Sequence, residues 1–121
     1  MARILIVDDS PSDRSALRNV LESRGYRVQE ASDGKAAIRM QRTTPADLVI
    51  TEILLPEKDG METIVDLKRG FPDVKVIAVS RGGAISPQIY LKMAMELGAS
   101  RALRKPFDPH KMTETVWELV G

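Results

Sequence analysis

Short apolar runs that stop abruptly at polar residues recur along this chain, and stretches with helical spacing separate them. Residues 4–7, Ile-Leu-Ile-Val, read as a strand covered on both faces and end at Asp8 and Asp9. Ser10-Pro11-Ser12-Asp13 then supplies an N-cap, a proline suited to the first helical position and an acid in the first turn. Ala16, Leu17, Val20 and Leu21 share one face of the helix that follows, which runs to about Arg24 before Gly25 stops it. Residues 26–31 alternate like a strand, and Ser32-Asp33 opens a second helix reaching about Gln41. Pro45-Ala46-Asp47 leads into a third apolar run, residues 48–51, which ends at Glu52. After a loop over residues 53–60, Met61, Ile64, Val65 and Leu67 mark a third helix closing at Gly70. Residues 74–79 form a fourth apolar run ending at Ser80, and Gly82-Gly83 predicts a mobile approach to a helix from about Pro87 to Leu97. Gly98 stops that helix, residues 101–104 make a short fifth strand ending at Lys105-Pro106, and Asp108-Pro109 opens a last helix with Met112, Val116 and Leu119 inward.

Strand and helix thus alternate five times, which predicts an α/β fold with a parallel sheet and helices on both faces. In open sheets of this kind, ligand sites lie outside the carboxyl ends of the strands. The polar residues that end the runs, Asp8, Asp9, Glu52, Ser80 and Lys105, are therefore expected together at one sheet edge.

Composition narrows the setting without choosing the chemistry. The length of 121 residues fits one domain over 1–121, and 43% hydrophobic with 29% charged residues is ordinary for a soluble globular protein. Without cysteine there is no disulfide, thiolate metal site or cysteine nucleophile. A net charge of +1 gives no general attraction to nucleic acid or anionic lipid. No apolar run reaches the length of a membrane span, and the N-terminus turns acidic too early for a signal peptide. The expected location is the cytoplasm.

Three carboxylates at one edge need a compensating cation, because two like charges ~4 Å apart repel by about 4 kcal/mol at an effective dielectric of 20. Mg²⁺ suits oxygen ligands and keeps several waters, while Lys105 supplies a point charge able to neutralise a phosphate oxygen. Ser80 can donate to a phosphoryl oxygen, and a central carboxylate can act as a nucleophile toward phosphate. Taken singly, each residue has a plainer role: Asp8-Asp9 as helix caps, Glu52 as a solvated acid, Lys105-Pro106 as a turn with a cis peptide bond. Their coincidence at successive strand ends favours the site.

On these residues the chain resembles the receiver domain of two-component response regulators, the CheY-like modules of phosphorelay signal transduction. Asp8-Asp9 resembles the family's metal-binding pair, residues 47–56 with Asp59-Gly60 its phosphoacceptor strand and loop, and Ser80, Gly98-Ala99-Ser100 and Lys105-Pro106-Phe107 the rest of its pattern. The resemblance implies a flavodoxin-like, doubly wound five-stranded sheet of order 2-1-3-4-5. It implies Mg²⁺ held by Asp8, Asp9, the acceptor carboxylate and the Leu54 carbonyl, with Glu52, Ser80 and Lys105 as the reactive set. It implies a sensor histidine kinase or phosphotransfer protein as phosphate source, and a downstream protein docking on helix four, strand five and helix five. Since the sequence ends at Gly121 with no linker, the expectation is a stand-alone regulator and a binding module, not an enzyme.

Three departures from the family pattern bear on function. The acceptor position holds Glu52 where the family has Asp, and the extra methylene pushes the carboxylate toward Ser80 and Lys105; the expectation is a permanently active-like or phosphate-independent receiver that mimics its phosphorylated state, with an inactive scaffold as the alternative. The strand-five position that often carries an aromatic is Ala102, leaving Tyr90 as a substitute. Residues 80–87 make a long approach to helix four, with Arg81 expected in solvent. Among alternatives, a Mg²⁺-dependent phosphohydrolase on a similar sheet would carry a second Asp at position 54, which is Leu here, and an FMN carrier would not place acids after strand one. His110 has no second His or Cys to form a metal site and reads as a surface residue.

Overall fold

The alternation of apolar side chains along each strand decides the architecture. In the computed structural model, which describes residues 1–121, the strands are β1 (Arg3–Val7), β2 (Arg27–Ala31), β3 (Leu48–Glu52), β4 (Lys75–Ser80) and β5 (Arg101–Arg104). The helices are α1 (Pro11–Ser23), α2 (Gly34–Thr43), α3 (Gly60–Gly70), α4 (Pro87–Glu96) and α5 (Pro109–Val120). All strands pair in parallel, in the order β2-β1-β3-β4-β5.

Successive residues point to opposite faces, so each central strand needs apolar residues at every position. Leu5, Val7, Val49, Val76 and Ala78 meet Ala37 of α2, Ile64 and Leu67 of α3 and Ala94 of α4 on one face. Ile4, Ile6, Ile50, Ile77 and Val79 meet Leu17 and Leu21 of α1 and Met112 and Val116 of α5 on the other. Each large side chain moved fully out of water contributes about 1.5–3 kcal/mol. Helix α4 is the exception, since Ala94 is its only buried residue. No helix is long and apolar enough to cross a membrane.

The helix starts follow the expected chemistry. Ser10 Oγ accepts from the Asp13 amide at 3.2 Å, Asp33 Oδ1 from Ala36 at 2.8 Å, and Asp108 Oδ1 from His110 at 2.9 Å. Gly25 and Gly98 take positive φ at 91° and 120° where α1 and α4 end. The Lys105–Pro106 peptide bond is cis. Element boundaries shift from the sequence reading by one or two residues, as fraying ends do.

Gly60 fixes the loop beyond β3. Its amide donates to the Ile53 carbonyl at 2.9 Å, and a Cβ there would run into the carbonyl oxygens of Glu52 and Ile53. Backbone cannot yield as a flexible side chain can. Gly60→Ala is therefore expected to lower stability by about 1–3 kcal/mol, read as a reduced urea midpoint with an unchanged slope.

Candidate functional site

Register brings the strand ends level. Val7 pairs with Thr51, Glu52 with Val79, and Ser80 with Arg104, so Asp8, Glu52, Ser80 and Lys105 end adjacent strands at one edge. The Lys105 amide also donates to the Ser80 carbonyl at 2.9 Å, extending the ladder to the site itself.

Lys105 is the hub. Its Nζ lies 2.5 Å from Asp8 Oδ2, 2.9 Å from Glu52 Oε2 and 3.0 Å from Asp13 Oδ2. The ammonium donates hydrogen bonds to Asp8 and Asp13, and Glu52 completes the cluster as an ion pair. The Lys105, Asp8 and Glu52 side chains are only 7%, 7% and 8% exposed, so the contacts form largely away from water. Burial pushes the Lys105 ammonium down, but its contacts with the Asp8, Glu52 and Asp13 carboxylates outweigh this and hold the group above the usual lysine range.

The remaining carboxylate oxygens are also placed. Asp8 Oδ1 accepts from the Ser10 amide at 2.9 Å, which joins the acid to the turn before α1. Glu52 Oε1 accepts from the amides of Ile53 at 3.1 Å and Leu54 at 3.4 Å. The glutamate thus folds back on its own loop with one oxygen and reaches Lys105 with the other. Ser80 is fully buried, and its Oγ accepts from the Gly82 amide at 3.0 Å, tying the hydroxyl to the loop before α4.

Asp13 was not foreseen as a site residue. It sits in the first turn of α1, where an acid is explained by the helix dipole alone. In the structure its Oδ2 bridges Lys105 and Arg81, the latter at 3.2 Å. The hydrogen bond from Lys105 holds the Asp13 carboxyl below the usual aspartate range against a mild opposing effect of burial. Arg81 is correspondingly not free in solvent; it pairs with Asp13 while its side chain stays 62% exposed.

Asp9 and Leu54 make no ion pair with Lys105 but border the cluster. Asp9 is exposed and Leu54 is 38% exposed, both on the rim of a hollow of about 270 Å³ that Asp8, Glu52 and Lys105 also line. The donor types suit Mg²⁺, and in this structure the Lys105 ammonium is the cation that stands where Asp8 and Glu52 converge. Tyr90 and Leu54 approach Gly83, where an added Cβ would lie 3.3 Å from the tyrosine hydroxyl, so Tyr90 faces the loop that follows Ser80. Ala102 packs half-buried on the α4 side of the sheet. His110 is exposed, 3.7 Å from Glu114 one turn on.

A parallel sheet of this order, with an acid–lysine cluster across its carboxyl edge, defines a class. Residues 4–117 match the model of the response regulator receiver domain, and the chain belongs to that family. It is 34% identical to protein CcdB of Bacillus subtilis over all of this chain and 99% of that protein. It is 31% identical to the chemotaxis protein CheY of Thermotoga maritima, covering 94% of this chain and 93% of that protein. The crystallised chemotaxis response regulator CheY4 of Vibrio cholerae superposes with a TM-score of 0.88 at 26% identity, covering 99% of both chains. Other curated relatives are longer; the chain spans 46% of the alkaline phosphatase synthesis regulator PhoP of Bacillus subtilis.

Proposed function

We propose that this receiver domain works as a phosphate-independent signalling module, in which the Glu52–Lys105 contact takes the place of the contact a phosphorylated aspartate would make. The 2.9 Å approach of Glu52 Oε2 to the buried Lys105 ammonium carries this reading. The extra methylene of glutamate moves the charge outward from β3 toward the lysine, where an acyl phosphate on a shorter residue would project. Ser80 and Lys105 stay in the roles that the family resemblance gives them, as the groups that sense charge at position 52.

Mg²⁺ enters as a competitor. Asp8, Asp9, Glu52 and the Leu54 carbonyl are the proposed metal ligands, and Lys105 already engages two of those carboxylates. No step of this reading runs through the metal. The output is binding, not turnover. Its surface is the face of α4, β5 and α5, a reading supported by the exposed apolar side chains Ile89 and Met93 of α4. A downstream protein is the proposed partner there, with a sensor histidine kinase or phosphotransfer protein as the input. The proposed setting is the cytoplasm.

Incubating the protein with Mg²⁺ and a small acyl phosphate, followed by intact-mass measurement, tests the reading. The expected result is no stoichiometric gain of a phosphoryl group and no change in partner affinity. Rapid, complete addition at Glu52 would mean that the residue is a working acceptor and not a mimic.

A further inference from the structure

Helix α2 carries Lys35, Arg39 and Arg42 at i, i+4 and i+7, a spacing that puts all three on one side. Like charges at such spacing repel one another, so the arrangement costs the isolated helix stability. The three residues form one wall of a groove of about 650 Å³, the largest hollow on the molecule, and Lys58, Asp66 and Arg69 stand on its other side. The chain's net charge is only +1, so this concentration of cations is not a by-product of a basic composition.

The ion pairs around the groove are divided unevenly. Lys35 pairs with Glu57 at 3.8 Å, and Lys58 pairs with Glu62 at 3.8 Å and more closely with Asp66. The nearby acids are thereby taken by lysines. Arg39, Arg42 and Arg69 take part in none of the protein's ion pairs. Two helices thus hold three uncompensated guanidinium groups on opposing walls of one groove. The guanidinium fork matches phosphate oxygens two at a time, and it does so better than an ammonium. The volume lies within the range of small-molecule sites. Ile38 and the half-buried Phe71 add an apolar surface at the same groove, of the kind on which a planar ring stacks.

We infer that the α2–α3 groove binds a phosphate-bearing small molecule, gripped by Arg39, Arg42 and Arg69. Two sources share this chemistry, a nucleotide and an inorganic phosphate chain. None of the groove residues lines the hollow at Glu52 and Lys105, so the site is separate from the receiver site and does not depend on how that site works.

Calorimetric titration of the full chain with ATP, and separately with inorganic pyrophosphate, tests the inference in low salt with EDTA to exclude metal-bridged binding. Saturable 1:1 binding of at least one is expected. The Arg39→Gln/Arg69→Gln variant should weaken it by about tenfold or more at an unchanged melting temperature, since both residues are exposed. Tighter binding of ATP than of pyrophosphate identifies a nucleotide, and equal binding identifies the phosphate chain. No saturable binding of either, equal affinity in the double variant, or binding of a single-stranded oligonucleotide alone overturns it.

Discussion

Replacing Lys105 with methionine should cost about 3–5 kcal/mol of folding stability, the penalty for stranding buried charge after one partner is removed. Methionine preserves most of the length and packing of the side chain, so the loss reports charge and not a cavity. It leaves Asp8 and Glu52, both nearly out of water, without a cation, while Asp13 is exposed enough to rehydrate at little cost. Urea unfolding of the two proteins measures the difference. Mg²⁺ should recover much of it in Lys105→Met by taking over the freed carboxylates, and should stabilise the parent far less, because there the ammonium holds the same oxygens. A variant as stable as the parent, or equal Mg²⁺ stabilisation of both, would refute the lysine's central position.

The pH dependence follows from the same contacts. The folded-state pKa of Lys105 lies above its ordinary 10.5, so the stability from its ionised form is full below that value and is lost as pH rises through the folded-state value. Asp13 is held below its ordinary 3.8 by the hydrogen bond from Lys105, and Glu30 below 4.5 by the hydrogen bond from Arg18. Their contributions are full above those ordinary values and are lost as pH falls through the depressed ones. The parent should therefore hold a stability plateau between these limits, with its alkaline flank flattened in Lys105→Met.

Shortening Glu52 to aspartate should raise the rate of phosphoryl uptake from a small acyl phosphate with Mg²⁺ by about a hundredfold or more. In-line attack needs near-contact geometry, and a misplacement of ~1 Å costs about that factor. In the parent both glutamate oxygens are engaged, one by Lys105 and one by the amides of Ile53 and Leu54. Glu52→Asp draws the carboxylate back toward β3, frees an oxygen to attack and opens space beside Lys105 for the transferred group. A time course of intact mass reads the rate. Equal rates in the two proteins would show that the methylene is not what limits the chemistry.

The fold was legible because the signals were redundant. Runs such as Ile4 to Val7 and Leu48 to Ile50 are short, rich in β-branched residues and apolar at every position, which together fit a strand covered on both faces, and register then aligns the polar residues beyond them. Asp8, Glu52 and Lys105 could be grouped from the sequence because all three end strands. Asp13 could not, because Ser10-Pro11-Ser12-Asp13 already makes complete local sense as a helix start. Its bond to Lys105 spans 92 positions and depends on where α1 begins above the sheet. Arg81 was missed for the same reason, its partner being an acid with another evident purpose. The spacing of Lys35, Arg39 and Arg42 was visible, but the arginine that α3 adds across the groove belongs to tertiary structure.

With Ala94 as its only fully buried side chain, Tyr90 and Leu91 half-buried beside it, and an N-cap serine that makes no capping bond, α4 is fastened less firmly than its neighbours. Deuterium should enter its amides well before those of α3 or α5, because opening it uncovers less oil-like surface than opening either of them. If the proposed docking face is the one used, a protein binding there can reshape this helix at small cost, and the final form of that surface is shared between the receiver and whatever it meets.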